Sequence, residues 1–172
     1  MKRVTLVIGT VLAASLVAAP AQADRLHAGL AAFKHRSYVK AAQLLWLPAA
    51  QGNPAAQAVL CFLHTAGYGV PRSYEDAAEW CERAANQGNV QAQYMLGMLY
   101  NKGHGVPEDY ILAYKWLNLA ASRAAGPKKD YSYRIRDAVA TKMSPAQIER
   151  AQALSMDWRP VPEAHYALDR TR

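Results

Sequence analysis

From Asp24 to Met156 the apolar positions recur every three or four residues, which is the spacing of one helix face. Leu26, Leu30 and Phe33 mark a first helix over 24–34. After the turn His35-Arg36-Ser37, a second runs from Tyr38 to about Ala50. Ser37 is placed to cap it, and Pro48 is expected to kink or loosen its last turn. Further helices are predicted over 54–66, 74–87, 90–102 and 110–124. Gly52-Asn53, Gly88-Asn89 and Gly126-Pro127 act as stops. Ser73 and Asp109 are N-cap residues, and Asp76 gives Ser73 a capping-box-like partner. A helix over 128–142 carries Ile135, Ala138, Val139 and Met143 on one face. Ser144-Pro145-Ala146-Gln147 then opens a last one, with Ile148, Ala151, Leu154 and Trp158 as its apolar face.

The pattern repeats. Ala66-Gly67-Tyr68-Gly69-Val70-Pro71 returns as Lys102-Gly103-His104-Gly105-Val106-Pro107, offset by 36 residues. The same offset links Gln57 to Gln93, Leu60 to Leu96, Leu63 to Leu99, Tyr74 to Tyr110, Ala77 to Ala113 and Trp80 to Trp116. A fixed period of this size is the signature of units that bury their apolar faces against one another. Ser37, Ser73 and Asp109 are each followed by tyrosine, which reveals a third, more degenerate unit at the start. Gly29, Cys61 and Gly97 occupy matched positions in the first helix of each unit, where small residues let paired helices approach closely. The expected fold is all-α: a solenoid of about three antiparallel helical hairpins with a C-terminal helix pair capping its open end. It spans 24–158, and 159–172 is expected to be a flexible tail.

The N-terminus changes the picture of where the protein works. Met1-Lys2-Arg3 is positive, Val4 to Ala19 is uncharged and apolar, and Ala21-Gln22-Ala23 is a small-x-small cleavage site. Residues 1–23 therefore read as a secretory signal peptide, and the expected product is periplasmic or secreted, with no membrane span after cleavage. Export makes nucleic acid an improbable partner. The formal net charge of +7 falls to +5 once Lys2 and Arg3 are removed. The charge is uneven. Residues 123–142 carry Arg123, Lys128, Lys129, Arg134, Arg136 and Lys142 against two aspartates, whereas 75–82 carry Glu75, Asp76, Glu79 and Glu82 with no base.

Candidate chemistry is sparse. The glycine loops lack the lysine and the strand-to-helix setting of a phosphate cradle. The histidines show no metal-ligand spacing, and neither Gly-x-Ser-x-Gly nor His-Glu-x-x-His occurs. No catalytic residue, cofactor or metal site is read, and the chain is not expected to be an enzyme. The four tryptophans are expected to be packing residues. Cys61 and Cys81 are the two cysteines, on opposite helices of one hairpin. Two readings stay open: small buried hydrophobes with free thiols, or a disulfide, which needs Cα atoms within about 7 Å.

The stretch Leu-Gly-Met-Leu-Tyr-Asn-Lys-Gly-His-Gly-Val-Pro-Glu-Asp-Tyr (96–110), with Ala113, Trp116 and Ala120-Ala121, resembles the Sel-one-like repeat family, relatives of the tetratricopeptide repeats. The copy at 60–85 matches with Cys61 and His64 at the glycine and tyrosine positions. The resemblance covers about residues 25–158 and implies an interaction module, an adaptor or regulator of the cell envelope, rather than a catalyst. The implied partner is an envelope protein or peptide segment held in the concave groove. The alternative is a binder of peptidoglycan or other cell-wall carbohydrate. In such stacks the first helix of each hairpin lines the concave side. That places Leu30, Phe62 and Met98 in one stripe, with Tyr94, Asn101 and Lys102 as polar edges. Packing of these same side chains into the core is the competing reading.

Overall fold

A computed structural model of the chain describes residues 18–163. Among the described residues there are eight helices and no strand: α1 (Ala18–Lys34), α2 (Tyr38–Ala50), α3 (Pro54–Ala66), α4 (Tyr74–Asn86), α5 (Val90–Lys102), α6 (Tyr110–Arg123), α7 (Pro127–Ala140) and α8 (Pro145–Met156). They pack as consecutive hairpins, α1 on α2, α3 on α4 and α5 on α6, each hairpin stacked on the next. The C-terminal helices do not form a fourth hairpin. α7 and α8 both lean on α6, and Val139 and Ala151 join its Ala113, Tyr114 and Leu117 in one buried cluster.

Each hairpin has one close crossing. A methyl group on Gly29 would lie 2.6 Å from the side chain of Leu45, and one on Gly97 would lie 2.7 Å from that of Leu117. The matching pair in the middle hairpin is Cys61 and Cys81, joined as a disulfide with Cα atoms 5.1 Å apart. Three successive hairpins thus cross at Gly/Leu, Cys/Cys and Gly/Leu.

The signature loops serve the joint between hairpins. Gly69 and Gly105 have φ of +71° and +70°, in the left-handed region. A Cβ on Gly105 would run into the backbone of Tyr74 at the start of α4. One on Gly69 would meet the backbone of Tyr38 and Val39 at the start of α2. Each loop therefore seats on the second helix of the preceding hairpin, at a distance only glycine allows. The repeated glutamines tie the same units at the other end. Buried Gln57 donates to the carbonyl of Ala49 (3.0 Å) and buried Gln93 to that of Ala85 (3.3 Å). The same carbonyls also accept the backbone amides of Gly52 and Gly88 (2.9 Å each), so each glutamine adds a second donor at the ends of α2 and α4.

Two sequence expectations change. Ser37 makes no side-chain cap on α2, whereas Ser73 accepts from the Asp76 amide (3.1 Å) and Asp109 from that of Leu112 (2.9 Å). Pro48 is buried within α2, which ends at Ala50 as the spacing predicts. The tail is not loose where it is described. Trp158 packs edge-on against Trp116, the Val161 amide donates to the carbonyl of Asn86 (2.8 Å), and Glu163 pairs with Arg83. Residues 158–163 form a strap back across the ends of α4 and α6. Residues 164–172, the remainder of the expected tail, lie outside the described residues, as does most of the predicted signal peptide.

Candidate functional site

The first helices α1, α3 and α5 present one face to a shared groove. At its α1 end a cavity of about 550 Å³ is lined by Leu30, Phe33, Lys34, Val59, Phe62 and Lys128, among others. Phe62 is also in the wall of the next cavity, about 330 Å³, with Tyr94, Met98 and Lys102. Tyr94 in turn borders a third, about 280 Å³, together with Lys128 and Tyr131 from the start of α7. Shared walls make these one continuous trough. Leu30, Phe62, Tyr94 and Met98 are half-buried in it, and Leu30, Phe62 and Tyr94 also pack against the buried core clusters. The fully buried residues of α3 and α5 are instead their neighbours Leu60, Leu63 and Leu96. No acidic side chain lines any of the three cavities.

Five of the six residues singled out in the sequence line this trough. Asn101 does not. Its side-chain oxygen accepts from Lys142 Nζ (3.1 Å), so it joins the end of α5 to the chain after α7. Sequence reasoning missed several lining residues. Gln91 lies two helical turns before Met98 on the same face, and that signal was available in the spacing. Lys128 and Tyr131 come from α7, outside the repeat, where no period can place them.

Tyr94 and Tyr131 meet with ring centroids 5.8 Å apart. Burial pushes the Tyr94 hydroxyl well above the usual tyrosine range, and its hydrogen bond and proximity to Tyr131 push it further. The Tyr94 ring therefore stays neutral at ordinary pH and offers its hydroxyl as donor and acceptor in an otherwise apolar wall. The charges of the trough are those of Lys34, Lys102 and Lys128 at its rim, which are all exposed.

The tryptophans divide. Trp116 is buried and Trp158 half-buried, but Trp46 is 59 % exposed and corrects the expectation that all four are packing residues. It lies on α2 and has no counterpart at the repeat offset, where Glu82 stands. Among the described residues no group of three or more His, Cys, Asp or Glu is arranged to hold a metal ion. No helix among them is long and apolar enough to cross a membrane.

The geometry has close relatives among known proteins. The Sel1 repeat is matched twice, over residues 54–89 and 90–124. No curated protein matches the chain significantly in sequence. Among solved structures, the chain is similar to c5321, a protective antigen present in uropathogenic Escherichia coli strains and displaying an SLR fold. The identity is 28 % and the TM-score 0.72, over 88 % of this chain and 33 % of that one. It is also similar to a Sel1 repeat protein from Oxalobacter formigenes, with 34 % identity and a TM-score of 0.57, over 64 % of this chain and 45 % of that one. The chain thus spans less than half the length of either. Sel1 repeat proteins generally mediate protein–protein interaction, and their fold is typically a non-enzymatic scaffold. The chain thus carries two matched Sel1 repeats within a stack of helical hairpins and is similar in fold to solved Sel1 repeat proteins.

Proposed function

We propose that the protein is an envelope adaptor or regulator that holds a segment of a protein partner in the trough of α1, α3 and α5. The observation that carries this reading is the continuity of the apolar lining: Leu30, Phe62 and Met98 fall at one register in three hairpins and stay half-open. A concave apolar surface with a polar rim is the usual form of a site for an extended or helical segment. The rim lysines favour a segment that carries carboxylates beside its apolar anchors.

The envelope location rests on the signal-peptide pattern of residues 1–23 and is supported by the Cys61–Cys81 disulfide, a bond typical of oxidising compartments. Removal after Ala23 would leave in place Leu26, Leu30 and Phe33, the α1 side chains that pack against the first core cluster. A photo-crosslinking side chain placed at position 62 or 98 tests the site in cells. Crosslinks to a discrete envelope protein are expected from both positions but not from position 156, which is 76 % exposed on α8. Equal crosslinking from all three, or from 156 alone, would remove the trough from the account. A chain recovered in the cytoplasm with residues 1–23 intact would remove the envelope assignment.

A further inference from the structure

The helices that build the trough are almost free of acid. α3 and α5 contain no aspartate or glutamate, and α1 has none after Asp24. From Arg25 to Tyr74 the chain carries Arg25, Lys34, Arg36, Lys40 and Arg72 but no carboxylate. The acids that follow, Glu75, Asp76, Glu79 and Glu82, sit on α4, and none of them lines a trough cavity. The walls of the trough therefore cannot quench its own cations.

Two of those cations flank the largest cavity: Lys34 at the end of α1 and Lys128 at the start of α7. Both are exposed, and neither ammonium has a hydrogen-bond or ion-pair partner among the described residues. Lys34 is the last residue of its helix, where the helix dipole favours a cation, so its position has a local reason. Lys128 has the opposite setting. It is the second residue of α7, after Pro127, where the partial positive charge of a helix start disfavours a cation. Gly126 at the N-cap offers no side chain to the first-turn amides, which adds to the positive end. Asp130 stands two positions further on, about 200° around the helix, and lines none of the three cavities. Lys128 borders both the first cavity and the third. An unpaired cation, held at an unfavourable helix end beside two apolar cavities, suits an anion supplied from outside.

The repeat does not dictate this arrangement, and the next interval of the trough is the internal control. Shifted by 36 residues, Ala55, Ala58 and Phe62 become Gln91, Tyr94 and Met98. Where the small Ala55 and Ala58 stand, the cavity is about 550 Å³, but where their larger counterparts stand it is about 330 Å³. The first interval is thus the roomier place for a bulky side chain. Gln91 borders all three cavities, is exposed, and makes no side-chain hydrogen bond among the described residues. Its amide can both donate to and accept from the main chain of a bound segment.

We infer that the trough selects an acidic segment of its protein partner in which one bulky apolar side chain is flanked by carboxylates. The apolar side chain fills the α1–α3 cavity, the carboxylates meet Lys34 and Lys128, and Gln91 holds the main chain. Lys128 is the specificity-determining residue, because it comes from outside the repeat and adds charge recognition to an apolar groove. This inference rests on the trough reading above and deepens it.

Three capped peptides test it by NMR of the backbone amides of the purified protein: acetyl-Ala-Glu-Phe-Glu-Ala-amide and the same peptide with Gln or Lys in place of Glu. The Glu peptide is expected to shift the signals of Val59, Phe62 and Gln91 saturably. The Gln peptide should bind roughly tenfold more weakly, and the Lys peptide should give no saturable shift. Sodium chloride at about 0.5 M should bring the Glu peptide close to the Gln peptide, because exposed charges are screened. Lys128→Glu relieves the unfavourable helix end, so its Tm is expected to be kept or raised while the Glu peptide binds roughly tenfold more weakly or worse. Affinities of the Glu and Gln peptides within about twofold of each other would overturn the inference, as would Glu-peptide affinity kept within about twofold by Lys128→Glu. So would a failure of the Glu peptide to shift these signals. The trough reading is judged separately, by the crosslinks from positions 62 and 98. Crosslinks kept in full by Lys128→Glu overturn the inference alone, whereas their absence from the unaltered protein removes the trough as well.

Discussion

Hairpins α3–α4 and α5–α6 have the same length, loop and repeat signature, yet they close their crossings by different chemistry. At the first, Cys61 and Cys81 are bonded. At the second, Gly97 lets Leu117 press onto the helix backbone, and a methyl group on Gly97 would also lie 3.0 Å from the Ala113 carbonyl oxygen. Despite this, Phe62 and Met98, each one residue past the crossing, emerge half-buried in the same trough. The means of closure is interchangeable within the repeat. The direction of the following side chain is not, because it is set by helix geometry.

The largest effect is expected where the two hairpins are alike. Gly105→Ala would force a Cβ against the Tyr74 backbone at a φ of +70°. Backbone strain and overpacking together predict a loss on the order of 4 kcal/mol, read by denaturant unfolding, with Gly69→Ala similar. A loss below about 1 kcal/mol for both would mean that the loops do not seat on the preceding helices. Reduction of the disulfide comes next. It closes a loop with a sequence separation of 20, and opening it should cost about 3 kcal/mol and fall mainly on the middle hairpin in hydrogen exchange. Uniform loss of protection along the chain would count against two independently closed crossings.

Gly97→Ala is smaller. The crowding at Leu117 should outweigh the gain in helix propensity of about 1 kcal/mol, for a net loss of roughly 1–2 kcal/mol. A stabilised variant would show that this crossing has slack. The least effect concerns pH. Because Tyr94 has a raised pKa in the fold, its neutral form contributes stability that is complete below the unfolded value of 10.0 and is lost as pH rises beyond it. The Tm of the protein should therefore fall more steeply above pH 10 than that of Tyr94→Phe, and parallel curves would contradict the burial assigned to this hydroxyl.

The repeats were legible because an offset of 36 residues aligns whole elements: α3 and α5 have the bounds the spacing predicts. The stripe of Leu30, Phe62 and Met98 could be read for the same reason. What lay beyond the period could not. Lys128 and Tyr131 enter the trough from α7, and the strap at 158–163 depends on Glu163 finding Arg83, 80 residues earlier in the chain. Trp46 breaks the repeat, and a pattern built from matched positions gives no weight to a residue that matches nothing. The pairing of Leu45, Cys81 and Leu117 with the small residues opposite was visible in spacing, since each is 36 residues from the next. Its meaning needed the hairpin geometry.

The central claim is that the stripe faces a partner rather than the core, and the Phe62→Ala, Met98→Ala double variant tests it most directly. Thermal unfolding and capture of the crosslinked envelope partner would be measured on the same preparation. Both side chains are half-buried, so the account predicts abolished capture with at most a small fall in Tm. Buried residues would instead cost about 2–5 kcal/mol each on truncation. A loss of stability on that scale, or undiminished capture by a folded variant, would contradict it.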